Sequence, residues 1–245
     1  MLLQRDFKKT SYDDRLVLGD AYPSTINWRC ITIVIILAGM IGVGKTTYTA
    51  QLAKELGTEA FFEPVEDNPI LDKYYENPEK YGFALQIYFL NKRFKAIKKA
   101  YHRDDNVLDR SIYEDALFTF INTLQGSIST QEYGIYLELL DNMMEELDGM
   151  PKKAPDLLIY LDASFEHIIS NIKKRGRSYE QPTETNGLED YYRLLHNHYQ
   201  EWYDKYDYSP KMLIKTDNID ITCDDDWQQV FGQIKDKMQE LGIGD

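Results

Sequence analysis

Cysteine is scarce in this 245-residue chain, and the two present, Cys30 and Cys223, lie far apart with no C-x-x-C spacing. That excludes a disulfide framework and a cysteine zinc site, and it suits a reducing cytosol. Long apolar runs are missing too: none approaches the roughly 20 residues that cross a bilayer. Lys8 and Lys9 are not followed by the apolar core of a signal peptide, so a cytoplasmic location and no membrane partner are expected. Positive charge is short: 28 Lys and Arg face 41 Asp and Glu, for a net charge of −13. A nucleic-acid groove leaves a basic stripe as its footprint, so no nucleic-acid partner is expected. Repeats and low-complexity tracts are absent as well.

What is present is a core-forming pattern. The hydrophobic share of 43% is ample, and the length fits one large α/β domain. Residues 1–30 are polar and aperiodic; we read them as a flexible extension, or a mis-set translation start, ahead of a domain over 31–245. From Ile31 the pattern alternates strand and helix. Ile31–Ala38, Ala60–Phe62, Asn106–Leu108, Leu157–Leu161 and Met212–Ile214 read as strands. Helices are expected over 47–56, from Asn68-Pro69 to Tyr75, from Pro78 to about Arg103, and over 112–125 and 132–147. Further helices follow Ser164, span Leu188–Tyr206, and carry the Trp227-to-Leu241 apolar face. Such alternation means a parallel five-stranded sheet flanked by helices. The long helix from Pro78 carries two stripes, one of Tyr81, Leu85, Tyr88 and Phe89, the other of Ile87, Leu90, Phe94, Ile97 and Tyr101. The second would suit a seam between subunits. The 19 tyrosines read mostly as helix-face packing.

The first strand runs into Gly39-Met40-Ile41-Gly42-Val43-Gly44-Lys45-Thr46, a full G-x-x-x-x-G-K-[ST] match, and then into a helix. Strand, glycine loop and helix stand in the order that phosphate binding needs. Glycines let backbone N–H groups turn onto phosphate oxygens, and the helix N-terminus adds partial positive charge. Lys45 is placed for the β- and γ-phosphates and Thr46 for Mg²⁺. Two more strands end in Glu63-Pro64-Val65 and Asp109-Arg110-Ser111, and in an open parallel sheet those ends share one crevice. Lys173-Lys174-Arg175-Gly176-Arg177 is a cation cluster in an acidic chain, and we read it as an arginine-rich lid over transferring phosphate. Asp162, also at a strand end, reads as structural.

Taken in order and spacing, Gly39–Thr46, Glu63-Pro64-Val65, Tyr75-Glu76-x-Pro78-Glu79, Gln86, Arg93, Asp109-Arg110-Ser111-Ile112-Tyr113-Glu114-Asp115 and Arg175-Gly176-Arg177-x-x-Glu180 resemble the deoxynucleoside kinase family. The likeness covers residue 31 to the C-terminus and is strongest to the purine branch of lactic acid bacteria. It implies a P-loop kinase fold and transfer of the ATP γ-phosphate to a 5′-hydroxyl, with ATP and Mg²⁺ as cofactors. The triphosphate site would be Gly39, Met40, Ile41, Gly42, Val43, Gly44, Lys45, Thr46 and Thr47, with Thr46 and Asp109 placing the metal. Glu63 would accept the hydroxyl proton, Arg110 would align Glu63 and the hydroxyl, and Lys45, Arg175 and Arg177 would hold the phosphates. Tyr75 and Glu180 would take the 3′-hydroxyl, and Gln86, Arg93 and Asp115 the base. The resemblance puts deoxyadenosine first, deoxyguanosine or deoxycytidine next, and implies a homodimer or a heterodimer with a related subunit.

Other classes fit less well. A nucleoside monophosphate kinase of the thymidylate type must hold an acceptor phosphate and needs a cation where Glu63 stands. A guanine-nucleotide switch needs N-K-x-D, and Asn91-Lys92-Arg93-Phe94 has Phe in the Asp place. A polynucleotide kinase conflicts with the net charge.

Overall fold

The β-branched run after residue 33 forms β1, Val34–Ala38, buried along its whole length. In the computed structural model the described residues are 33–62, 68–100, 106–147 and 154–243. The expected extension over 1–30, the strand start at Ile31, Glu63 to Val65, and the helix end near Arg103 lie outside them. The other strands are β2 (Glu59–Phe61), β3 (Asn106–Asp109), β4 (Leu157–Asp162) and β5 (Lys211–Lys215). All pair in parallel, in the order β2-β3-β1-β4-β5. The strand neighbours of β1 lie on opposite sides of it, so the chain reverses direction across the sheet at this point. That is where a parallel sheet opens a crevice at its carboxyl edge.

Alternation along β1 divides the core. Ile35 and Leu37 pack with Val107 against α1 (Lys45–Leu56), α4 (Ile112–Leu124), α6 (Phe165–Arg175), α7 (Leu188–Lys205) and α8 (Asp224–Leu241). Val34 and Ile36 face the other way, onto Leu108, α3 (Pro78–Ala100) and α5 (Thr130–Leu147). A smaller cluster joins α2 (Leu71–Glu76) to Leu85 of α3.

Three local expectations change. Asn68 does not cap a helix; its Oδ1 accepts from the Ile70 N–H at 2.9 Å, a turn that postpones α2 to Leu71. Helix α5 starts at Thr130 because Ser129 and Glu132 bond each other's backbone N–H groups ahead of it. The third concerns α3. Leu90 and Ile97 of its second stripe are buried inside the chain against Tyr136, Leu140 and Met144 of α5, while Ile87 and Phe94 are half-buried and Tyr101 lies outside the described residues. On the first stripe, Leu85 packs with Tyr81 and Phe89, whereas Tyr88 lies outside that cluster with the Lys92 ammonium over its ring.

Candidate active site

The glycine loop departs from β1 through backbone that L side chains resist. Gly39 has φ +144°, and a Cβ there would stand 2.7 Å from the Leu161 carbonyl oxygen. Gly42 has φ +85°, and its Cβ would meet the Ile172 side chain at 2.7 Å and the Ile168 carbonyl at 3.0 Å. Only glycine fits both. Lys45 opens α1 and donates to the carbonyls of Gly39 at 2.6 Å and Met40 at 3.0 Å, curling the loop around its ammonium. Asn171 of α6 donates to the Gly42 carbonyl at 3.0 Å, so the helix that ends at Arg175 is tied to the loop.

Beside the loop, β3 ends at Asp109, whose Oδ2 accepts from the Thr46 hydroxyl at 2.6 Å. The next residue, Arg110, has φ +79°, an uncommon conformation for a residue with a side chain. Its own N–H still reaches the Leu37 carbonyl at 2.9 Å, so the ladder holds it there. The guanidinium lies over the Phe118 ring, 4.4 Å from its centre, and donates to the Tyr199 hydroxyl at 3.2 Å.

A cavity of about 1010 Å³ spans these strand ends. Ligand pockets run to roughly 300–1,000 Å³, so this one stands at the large end of that range. It is lined by Ile41, Gly42, Val43, Gly44, Lys45, Thr46 and Thr47 of the loop and first helical turn, and by Tyr75, Gln86, Arg93 and Glu180. Asp109 and Arg110 stand on the wall with both groups. Gly39 is held beneath by its carbonyl bond to Lys45, and Met40 is buried in the core.

The expected acceptor residues are brought together in pairs. Arg93 of α3 and Asp115 of α4 form a buried ion pair, with the Arg93 guanidinium over the Phe89 ring. Gln86 lies on the same face of α3, only 4% exposed although it is polar. Tyr75 keeps its proton: burial first, then the neighbouring Tyr192 and the Glu180 carboxylate, push its phenol well above the usual range. Arg175 and Arg177 both engage Glu180, the latter at 3.4 Å, and Tyr192 fixes this turn by donating to the Glu180 carbonyl at 3.0 Å. The two arginines therefore stand on the residue expected to bind sugar. Glu63 lies outside the described residues.

Two residues at the site escaped the sequence reading. Glu114 is fully buried, with Oε1 accepting from the Gly39 N–H and Oε2 from the Ser111 N–H, both at 3.0 Å. The single Tyr199 O–H lies between two acceptors, Glu114 Oε1 at 2.9 Å and the Gly39 carbonyl at 3.0 Å, and is shared by them. Ser111-x-x-Glu114 is a capping-box pattern, so the sequence held a signal for Glu114, but one that names a helix cap.

Comparison with known proteins identifies the family. Residues 35–240 match the profile of the family described as deoxynucleoside kinase. The chain is 53% identical over 210 residues to a deoxyguanosine kinase of Lactobacillus johnsonii, covering 85% of this chain and 94% of that one. It is 44% identical over 210 residues to a deoxyadenosine kinase of Lactobacillus acidophilus, covering 85% and 98%. The solved structure of deoxyadenosine kinase from M. mycoides with bound dATP superposes with a TM-score of 0.71 at 32% identity, covering 83% of this chain and all of that one. A profile match over most of the chain, relatives at this identity and a shared fold place the protein, an ATP-dependent kinase, in the deoxynucleoside kinase family.

Proposed function

We propose that the protein transfers the ATP γ-phosphate to the 5′-hydroxyl of a purine 2′-deoxynucleoside. The observation that carries this is one cavity lined at once by the glycine loop, by Tyr75, Gln86, Arg93 and Glu180, and by Arg110. An acceptor seated on the second set would point its sugar hydroxyl toward the loop. Asp115 offers buried acceptor oxygens, Arg93 donors, and Gln86 one of each, which suits a base edge carrying both amino and acceptor groups. Between purines, the relative at 53% identity is named a deoxyguanosine kinase and that at 44% a deoxyadenosine kinase, so deoxyguanosine is placed first and deoxyadenosine second.

In this reading Glu63 takes the 5′-hydroxyl proton and Arg110 steers the hydroxyl oxygen, a division of labour implied by the family resemblance. Lys45 exchanges its loop carbonyls for phosphate oxygens. Arg175 and Arg177 leave Glu180 for the phosphates as a lid once the sugar 3′-hydroxyl occupies that carboxylate. Thr46 and Asp109 suit Mg²⁺, a hard ion that takes one or two carboxylates together with substrate phosphates. Among the described residues no group of three or more His, Cys, Asp or Glu side chains could form a metal cage. When bound, Mg²⁺ would offset phosphate charge. No helix among the described residues is long and apolar enough to cross a membrane, and a cytoplasmic place is part of the proposal. A dimer, with a second copy or a related subunit, rests on the family resemblance alone.

The test is ADP release from ATP with a panel of deoxynucleosides and their monophosphates. Purine deoxynucleosides should lead. Activity confined to monophosphates would overturn the reading.

A further inference from the structure

We propose that Glu114 and Tyr199 are positioning residues for phosphoryl transfer, locking the Arg110 guanidinium to the first peptide of the glycine loop. The inference rests on the reading above, in which Arg110 steers the acceptor hydroxyl.

Four bonds meet within one buried cluster. Gly39 is held on both sides of its Cα, its N–H by Glu114 Oε1 at 3.0 Å and its carbonyl by the Tyr199 hydroxyl at 3.0 Å. The same hydroxyl reaches Glu114 Oε1 at 2.9 Å and accepts from Arg110 Nη1 at 3.2 Å. Arg110 Nη1 also lies 3.7 Å from Glu114 Oε1. Glu114 and Tyr199 are both wholly buried, and they come from α4 and α7, elements that do not contain the loop. Loop and arginine are thus fixed to each other through two side chains.

A helix cap does not require this arrangement. Capping Ser111 needs only an acceptor oxygen, which a neutral amide supplies, and a capping glutamate ordinarily stays in water. A carboxylate with no exposure is costly unless a cation compensates it, and the neighbouring cation is Arg110. The Tyr199 phenol is pushed well above its usual range by burial and by the Glu114 charge, so it remains a donor at every working pH. When Lys45 turns from the Gly39 carbonyl to phosphate, Tyr199 remains to hold that carbonyl. The loop positions the ATP phosphates and Arg110 the hydroxyl, so a fixed distance between them matters to the in-line approach and little to binding either ligand.

Tyr199→Phe keeps the ring stacked on Tyr160 and edge-on to Phe118 while removing the hydroxyl. It should lower kcat about 10- to 100-fold, the scale of a small misplacement of reacting groups. KM for ATP and for deoxynucleoside should stay within about threefold, as expected when only the transition state is affected. Glu114→Gln, which removes the charge and one of the two oxygens that accept from Ser111 and Gly39, should lower kcat at least as much. In an Arg110→Ala background most of the Tyr199→Phe loss should vanish, because the two changes act on one group. A purely structural role would lower the thermal midpoint, leave kcat per folded molecule unchanged and give additive effects. Unchanged kcat in Tyr199→Phe, or full additivity with Arg110→Ala, overturns the inference while wild-type activity on deoxynucleosides keeps the functional reading. A wild-type chain inactive on deoxynucleosides overturns both.

Discussion

The Thr46 hydroxyl donates to Asp109 Oδ2 at 2.6 Å, joining the end of the glycine loop to the end of β3. Two hard oxygens from different elements lie side by side at the cavity wall, the arrangement a phosphate-bound divalent ion would use. Asp109→Asn keeps the hydrogen bond and removes the charge. It should raise the Mg²⁺ concentration for half-maximal rate about 10- to 100-fold, the scale seen when metal-supporting groups are lost. Mn²⁺ binding to the ATP complex, followed by electron paramagnetic resonance, should weaken in parallel. Equal metal dependence in both enzymes would remove Asp109 from this role.

Glu63 is the expected base. Glu63→Gln preserves size and hydrogen bonding, so ATP and nucleoside should bind nearly as before. General-base catalysis contributes about 10²–10⁴-fold, and kcat should fall by that amount. Single-turnover phosphorylation measures it directly, and a wild-type rate would assign the proton to another group.

Gly42→Ala tests the loop itself. The left-handed backbone costs an L residue roughly 1–2 kcal/mol. The added Cβ would also stand 2.7 Å from Ile172 and 3.0 Å from the Ile168 carbonyl, and that backbone cannot step aside cheaply. ATP binding by calorimetry should weaken, and the apo thermal midpoint should fall. Retention of both would show that the loop relaxes more readily than these contacts allow.

Much of the scaffold was legible because its signals are local. A β-branched run, a glycine loop ending in Lys-Thr and a Gly57 stop are consecutive in the chain, and the structure places β1, the loop and α1 where that order puts them. The second stripe of α3 was open to more than one reading because periodicity shows that a face is covered, not by what; α5 covers Leu90 and Ile97 of it. Tyr199 was one of many tyrosines at helical spacing, where packing is the ordinary reading. Glu114 was visible only as one position of the Asp109-to-Asp115 motif, with no role of its own. Its bond to Gly39 spans 75 residues, and nothing in a linear pattern encodes that contact.

Glu180 should make the enzyme depend on the sugar 3′-hydroxyl. Its carboxylate is 4% exposed and is occupied by Arg175 and Arg177, so a sugar lacking that hydroxyl offers it nothing in exchange. Glu180→Gln weakens both claims on the site. The wild-type preference for 2′-deoxy- over 2′,3′-dideoxynucleosides should therefore shrink by about 1–3 kcal/mol in the variant, the cost of an unmet buried polar group. The ratio of the two kcat/KM values reads this, and an unchanged ratio would place the 3′-hydroxyl elsewhere.

The base should be read by the Arg93–Asp115 pair. Both side chains are nearly inaccessible, and Arg93 is clamped over Phe89, so the pair presents a fixed edge to the cavity through Arg93. Arg93 can only donate, so the preference for an amino group rests on the Gln86 carbonyl and, in the reading proposed above, on the Asp115 carboxylate. Thymine has no amino group for either and should leave a buried acceptor unmatched. That mismatch amounts to roughly 1–3 kcal/mol, or about tenfold to more than a hundredfold in kcat/KM against thymidine. Asp115→Ala removes the partner of Arg93 and leaves a buried cation, so purine kcat/KM should fall by at least as much while ATP affinity holds. Glu114 is adjacent in sequence but bonds to Gly39 and Ser111, so the loop should be undisturbed. Fluorescent ATP-analogue binding separates a local loss from unfolding. A panel led by thymidine, or an Asp115→Ala enzyme with wild-type kcat/KM on deoxyguanosine and deoxyadenosine, would take the pair out of base recognition.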